Sequence, residues 1–105
     1  MTTEVRDVPS ASRYEVTVDG TRAGFAAYRR KGDALVFTHT EIDDAFEGQG
    51  VGSALARAAL DDVRARGLSV VPQCPFIRAW IDRHPDYADL VSEPVQRPDG
   101  GDRQP

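Results

Sequence analysis

From Arg13 to Val18 the chain alternates, with Tyr14, Val16 and Val18 set against polar neighbours, the period-two signature of a half-buried strand. Asp19-Gly20 follows as a two-residue hairpin turn that tolerates positive φ, and the next strand is expected over roughly residues 21–31. Pairing around that turn sets Tyr14 opposite Phe25 and Val16 opposite Ala23, which keeps apolar groups on one face. Gly32-Asp33 offers a second tight turn into a strand from Ala34 to Ile42. In that register Leu35, Phe37, His39 and Glu41 share one face, and Val36, Thr38, Thr40 and Ile42 share the other. A slip of one residue would exchange the two sets.

After the acidic loop Asp43-Asp44 the period changes to that of a helix. Val51, Ala54, Leu55, Ala58, Ala59 and Val63 fall on one broad side, and Ser53, Arg57, Asp61 and Arg64 on the other. Arg57 with Asp61, and Asp62 with Arg66, are spaced for i,i+4 support, and Gly67 is a natural stop one residue past the cap. Residues 68–72 are short and β-branched, so the preceding strand, this helix and this strand make a crossover with parallel strands. A second helix is expected from about Pro75 to Arg83, ended by His84-Pro85, with a short final helix over Asp86 to Leu90. The expected fold is α/β (α+β): an antiparallel meander of three strands, a strand-helix-strand crossover, then C-terminal helices. Residues 1–12 and 92–105 are polar and unpatterned and are expected to be flexible, leaving residues 13–91 as the folded domain.

A chain of 105 residues, 40% apolar and 29% charged, supports one core and not two. Its net charge of −4 and lack of Lys/Arg runs interleaved with aromatics argue against a nucleic-acid partner. No secretory h-region and no apolar run near the ~20 residues that span a bilayer is present, so a cytoplasmic location without membrane contact is expected, as a monomer or weak dimer. The single cysteine, Cys74, can form neither an internal disulfide nor a zinc site alone, and no metal is expected.

Candidate chemistry begins at Glu47-Gly48-Gln49-Gly50-Val51-Gly52-Ser53, a glycine-rich turn between a strand and a helix. That arrangement holds phosphate, because free amides point at the anion and the helix dipole favours negative charge. No Gly-Lys-Ser/Thr follows, which excludes a Walker loop, and Ser53 stands where dinucleotide-binding spacing needs glycine. Three glycines that only shape a tight turn remain the alternative.

The segment Glu47-Gly48-Gln49-Gly50-Val51-Gly52 resembles the acetyl-CoA signature of the GNAT superfamily of N-acetyltransferases, Gln/Arg-x-x-Gly-x-Gly/Ala. His39-Thr40-Glu41, Val71-Pro72-Gln73-Cys74-Pro75-Phe76, Trp80 and His84-Pro85-Asp86-Tyr87 are similar to the small single-domain branch with a cysteine after its fifth strand. The resemblance covers roughly Tyr14 to Val91. It implies acetyl-CoA as cosubstrate, bound by Thr40, Ile42, Glu47, Gly48, Gln49, Gly50, Val51, Gly52 and Ser53. It also implies a strand bulge that opens a slot for the pantetheine arm between residues 38–42 and 68–72, with His39 and Cys74 flanking the thioester. Two features depart from the wider superfamily. Glu47 stands where Arg or Gln is usual, and the pair of helices and the final hairpin that build most acceptor sites are missing.

Proline favours the first helical position, so Pro75 puts Cys74 at an N-cap, where the dipole lowers a thiol's pKa. Cys74 then accepts the acetyl group covalently, works as acid or base beside the CoA sulfur, or is simply packed. His39 is a candidate base, or an imidazole bonded to backbone; Glu41 is a second candidate base, or a solvated strand-end carboxylate. Tyr87 is a candidate proton donor or a packing residue, Trp80 and Phe76 read as core, and His84 as a structural helix end. The leading expectation is an acetyl-CoA-dependent N-acetyltransferase with an unidentified amine acceptor. The alternatives are a non-catalytic acyl-CoA-binding module and an interaction domain.

Overall fold

The computed structural model describes residues 2–92. Its elements are β1 (Thr3–Val8), β2 (Arg13–Val18), β3 (Thr21–Lys31), β4 (Ala34–Ile42), α1 (Val51–Ala65), β5 (Ser69–Pro72) and α2 (Pro75–Arg83), with 3-10 turns at Pro9–Ala11, Asp44–Phe46 and Pro85–Leu90. The strands form one sheet in the order β1-β2-β3-β4-β5. Neighbours are antiparallel up to β4, and β5 returns parallel to β4 through α1, as the crossover requires.

β1 corrects the expectation of a loose N-terminus. Thr3–Val8 pairs with β2 along its whole length, and Thr2 and Asp19 exchange backbone and side-chain hydrogen bonds at its start. Val5 packs on the core while Glu4 and Arg6 face solvent, so edge-strand charges hide the pattern. The tail expected to be flexible lies, from residue 93, outside the described residues; just before it, the Ser92 amide donates to the Val70 carbonyl at 3.0 Å.

The hairpin turn forms as expected, with Asp19 at φ 50° and Gly20 at φ 85°. Two bulges then change the faces. The first, between Val16 and Thr17, leaves Ala23 over, so Phe25 pairs with Glu15 and Tyr14 with Ala26. The second lies between the Ala27–His39 and Tyr28–Phe37 pairs and leaves Thr38 over. Before it, Leu35 and Phe37 face α1; after it, Thr40 and Ile42 take that side, and His39 and Glu41 turn to the opposite face.

α1 lies across all five strands and buries Val51, Leu55, Ala56, Ala59, Leu60 and Val63. It ends as Gly67 predicts: Gly67 has φ 70°, its amide donates to Arg64, and the Leu68 amide donates to Val63. Of the two charge pairs expected along it, Asp62–Arg66 forms at 3.1 Å, whereas Arg57 turns to the Tyr87 hydroxyl.

The far end of α1 is tied to the sheet by polar groups. Tyr14 donates to Asp62 at 2.6 Å, Tyr28 donates to Asp7 at 2.5 Å, and Arg66 bridges both carboxylates. Burial, then the bond to Asp7, pushes the Tyr28 phenol from 10.0 up to about 12, and burial with the Asp62 bond raises Tyr14 as well. The folded state therefore holds these protons more tightly than the unfolded chain. Their contribution to stability is complete below pH 10 and is lost as pH rises through about 12. A chemical-denaturation series should show stability falling across that window, and less steeply in Tyr28→Phe.

Candidate functional site

Gly48 and Gly50 sit at φ 79° and 77°, a left-handed conformation that glycine adopts without strain. Gly50 is the N-cap of α1 and has no side chain to offer, so no side chain caps the first amides of the helix. They point along the positive end of the dipole of a 15-residue helix whose first turn carries no acidic residue. Gly52 is required for space: a Cβ there would lie 2.9 Å from Phe76 Cζ and 3.5 Å from Ile42 Cγ1.

An open cavity of about 540 Å³ stands over this turn. Eight of the nine residues expected to hold the ligand line it: Thr40, Ile42, Glu47, Gly48, Gly50, Val51, Gly52 and Ser53. Gln49 does not; its side-chain amide turns back to the Ala45 carbonyl at 3.3 Å and braces the turn. The Ser53 hydroxyl is also engaged, accepting the Trp80 indole N–H at 2.9 Å. Four lining residues escape sequence reasoning: Phe46, Phe76, Trp80 and Arg83. Phe76, Trp80 and Arg83 recur at i, i+4 and i+7, a helical stripe of which Phe76 and Trp80 read as core and Arg83 only as the helix end. Trp80 is indeed core, whereas Phe76 is half-buried and forms a cavity wall.

The slot expected between residues 38–42 and 68–72 is displaced: residues 69–72 pair with 34–37, and the start of α2 follows beside the far half of β4. β4 pairs with β5 only from Ala34 to Phe37, and the Cys74 amide makes the last link, to the Phe37 carbonyl at 2.9 Å. Beyond Phe37, β4 has no β5 partner, and Thr40 and Ile42 face the cavity.

Cys74 is the N-cap of α2, as Pro75 implies, but its thiol makes no capping bond to α2. Its Sγ lies instead 3.2 Å from Thr40 Oγ1. Only 2% of Cys74 is exposed, and it sits behind Thr40 rather than on the cavity surface. His39 and Glu41 pair with each other, Nε2 to Oε2 at 2.8 Å, with 59% and 63% of their side chains exposed. The Phe25 ring lies 6.1 Å from the imidazole. Thus the three candidate proton-handling residues do not form one cluster: the Thr40–Cys74 contact is on one face of β4, and the His39–Glu41 pair on the other.

Tyr87 and His84 take structural places. The Tyr87 hydroxyl donates to Asp61 at 2.7 Å, a bond that with burial raises its pKa, and the ring packs edge-on to Trp80. His84 stacks 3.8 Å from Trp80, with Nδ1 2.7 Å from the Trp80 carbonyl.

The sequence profile of GCN5-related N-acetyltransferases matches residues 13–90. The chain belongs to that family. Over 47 residues it is 38% identical to Protein NATD1 of Xenopus tropicalis and of Homo sapiens, a match spanning 45% of this chain and 43% and 42% of theirs. The match thus spans less than half the length of these relatives. Among solved structures, a GCN5-like protein from Staphylococcus aureus superposes at TM-score 0.67 with 20% identity, covering 90% of this chain and 93% of its own, which shows the fold. The ribosomal-protein-S18-alanine N-acetyltransferase from Escherichia coli superposes at TM-score 0.52 with 25% identity, over 55% of this chain and 38% of its own. The five-stranded sheet with its β4–α1–β5 crossover is the GNAT fold.

Proposed function

We propose that the protein is an acetyl-CoA-dependent N-acetyltransferase acting on an amine. The observation that carries this reading is one continuous surface: uncapped amides at the start of α1 open into the gap beside β4 past the end of β5. A pyrophosphate on those amides and a pantetheine arm in the gap would set the thioester near Thr40.

The chemistry then divides between the faces of β4. The amine nitrogen attacks the thioester carbon and loses a proton, the C–S bond breaks, and the thiolate gains a proton. The His39–Glu41 pair, on the opposite, exposed face of β4, accepts the amine proton through a bridging water. Thr40, which lines the cavity, supplies the proton to the CoA sulfur and recovers one from Cys74 behind it, and solvent entering as coenzyme A leaves returns a proton to Cys74 through Thr40. A covalent acetyl-cysteine would need Thr40 to move aside first, so direct attack on the thioester is the favoured route.

The test combines binding, turnover and mass. Acetyl-CoA at ~100 times its dissociation constant should raise stability by about 2.7 kcal/mol. His39→Gln with Glu41→Gln should keep that shift and lower acetyl-CoA consumption, in the presence of an amine panel, by roughly 100-fold. Intact mass should show no acetylated protein at Cys74. No stabilisation by CoA or acetyl-CoA refutes the reading, and stabilisation without turnover on any amine marks a non-catalytic acyl-CoA-binding module.

A further inference from the structure

Resting on the reading of the cavity as a coenzyme A site, the structure assigns Arg83 as the side chain that recognises the ligand's phosphates, in place of the residue at position 47. Two titratable side chains line the cavity, Glu47 and Arg83. Glu47, beside the glycine turn, carries the wrong sign for a phosphate. Arg83 is the last residue of α2 and exposed, and among the described residues it has no carboxylate partner, whereas Arg13, Arg22, Arg64 and Arg66 all do. A guanidinium fork with all its donors available suits the paired oxygens of a phosphate.

Its position is fixed by the rest of its helix. Trp80, three residues earlier, donates to Ser53 in the first turn of α1, and Phe76, one turn further back, packs against Gly52. α2 is thereby clamped to the mouth of α1, and Arg83 stands on the rim of the cavity that the turn amides floor. Amides and guanidinium together present donors from two helices to one anion. Glu47 opposes them, so the two side chains have opposite effects on the same ligand. A last-turn arginine also complements the dipole of α2, and that structural role alone would leave ligand discrimination untouched.

Titrations of the wild type, Arg83→Gln, Arg83→Lys and Glu47→Gln with coenzyme A, dephospho-coenzyme A and acetyl-pantetheine separate the roles. Arg83→Gln should bind coenzyme A roughly tenfold more weakly at low salt, with a shallower salt dependence, and bind acetyl-pantetheine unchanged. Arg83→Lys should recover part of the loss, and Glu47→Gln should bind coenzyme A more tightly than the wild type. A loss seen for both nucleotides assigns the guanidinium to the pyrophosphate; a loss for coenzyme A only assigns it to the 3′-phosphate. Wild-type affinity in Arg83→Gln, or an equal loss for acetyl-pantetheine, overturns the inference while leaving the cavity's ligand intact. A wild type that binds no coenzyme A instead refutes the reading of the cavity.

Discussion

Gly52→Val should weaken coenzyme A binding by at least about 100-fold, close to 2.7 kcal/mol, while the protein stays folded. The valine Cβ would begin 2.9 Å from Phe76 Cζ and 3.5 Å from Ile42 Cγ1. Its two methyl groups then have only the cavity floor to occupy, where they cover the α1 amides that the phosphate needs. Overpacking of this kind costs typically 1–3 kcal/mol, against a stability of ~5–15 kcal/mol for a domain. Phe76 is half-buried and can give way toward the cavity, so the cost falls on the ligand more than on the fold. Calorimetric titration with circular dichroism checks both halves. Gly20→Asn is the control: it keeps a residue that tolerates φ 85°, in a hairpin with nothing within 4 Å of a new Cβ. Full-strength binding by Gly52→Val would place the ligand elsewhere.

Trp80→Ala should cost about 3–5 kcal/mol of folding stability, the largest loss expected from a single truncation here. Trp80 is 1% exposed and joins three elements. It donates to Ser53 of α1, stacks on His84, packs edge-on to Tyr87 at 5.0 Å, and carries the Arg57 guanidinium 5.3 Å from its ring. Removing it leaves a large cavity and releases the exposed Ser53 hydroxyl to solvent. Denaturant titration followed by circular dichroism measures the loss, since Trp80 is also the only tryptophan fluorophore. Trp80→Phe should recover much of the packing but not the Ser53 bond, and so fall between the two. A cost under 1 kcal/mol for Trp80→Ala would mean that α2 is not anchored through this ring.

Helix ends were the most legible part of the sequence, because their chemistry is local. Gly67 supplies the left-handed residue and closes two backbone bonds onto α1, and Pro75 and Pro85 each open a turn at the expected place. The strands were legible in position and not in facing. Period two determines which residues go together only while the register is unbroken, and single extra residues at Ala23 and Thr38 each invert it. The consequence fell on the site: His39 and Glu41 left the side of Phe37, and Thr40 came to meet Cys74. β1 went unseen because its outward residues are charged and its apolar ones few. The glycine turn was visible from spacing as a candidate phosphate site, and resemblance proposed a coenzyme A as its ligand. Phe46 and Arg83 reach the cavity only through the tertiary docking of the Asp44–Phe46 turn and of α2 against α1, which no local pattern encodes.

The central claim is that phosphate sits on the free amides at the start of α1, and amide chemical shifts report on that contact directly. Titrating coenzyme A into isotope-labelled protein should move the Gly48, Gly50, Val51, Gly52 and Ser53 resonances most. Thr40 and Ile42 should follow, and Gly20 and Gly32, in hairpin turns outside the cavity lining, should stay still. Saturable binding that leaves residues 48–53 unmoved would contradict the account.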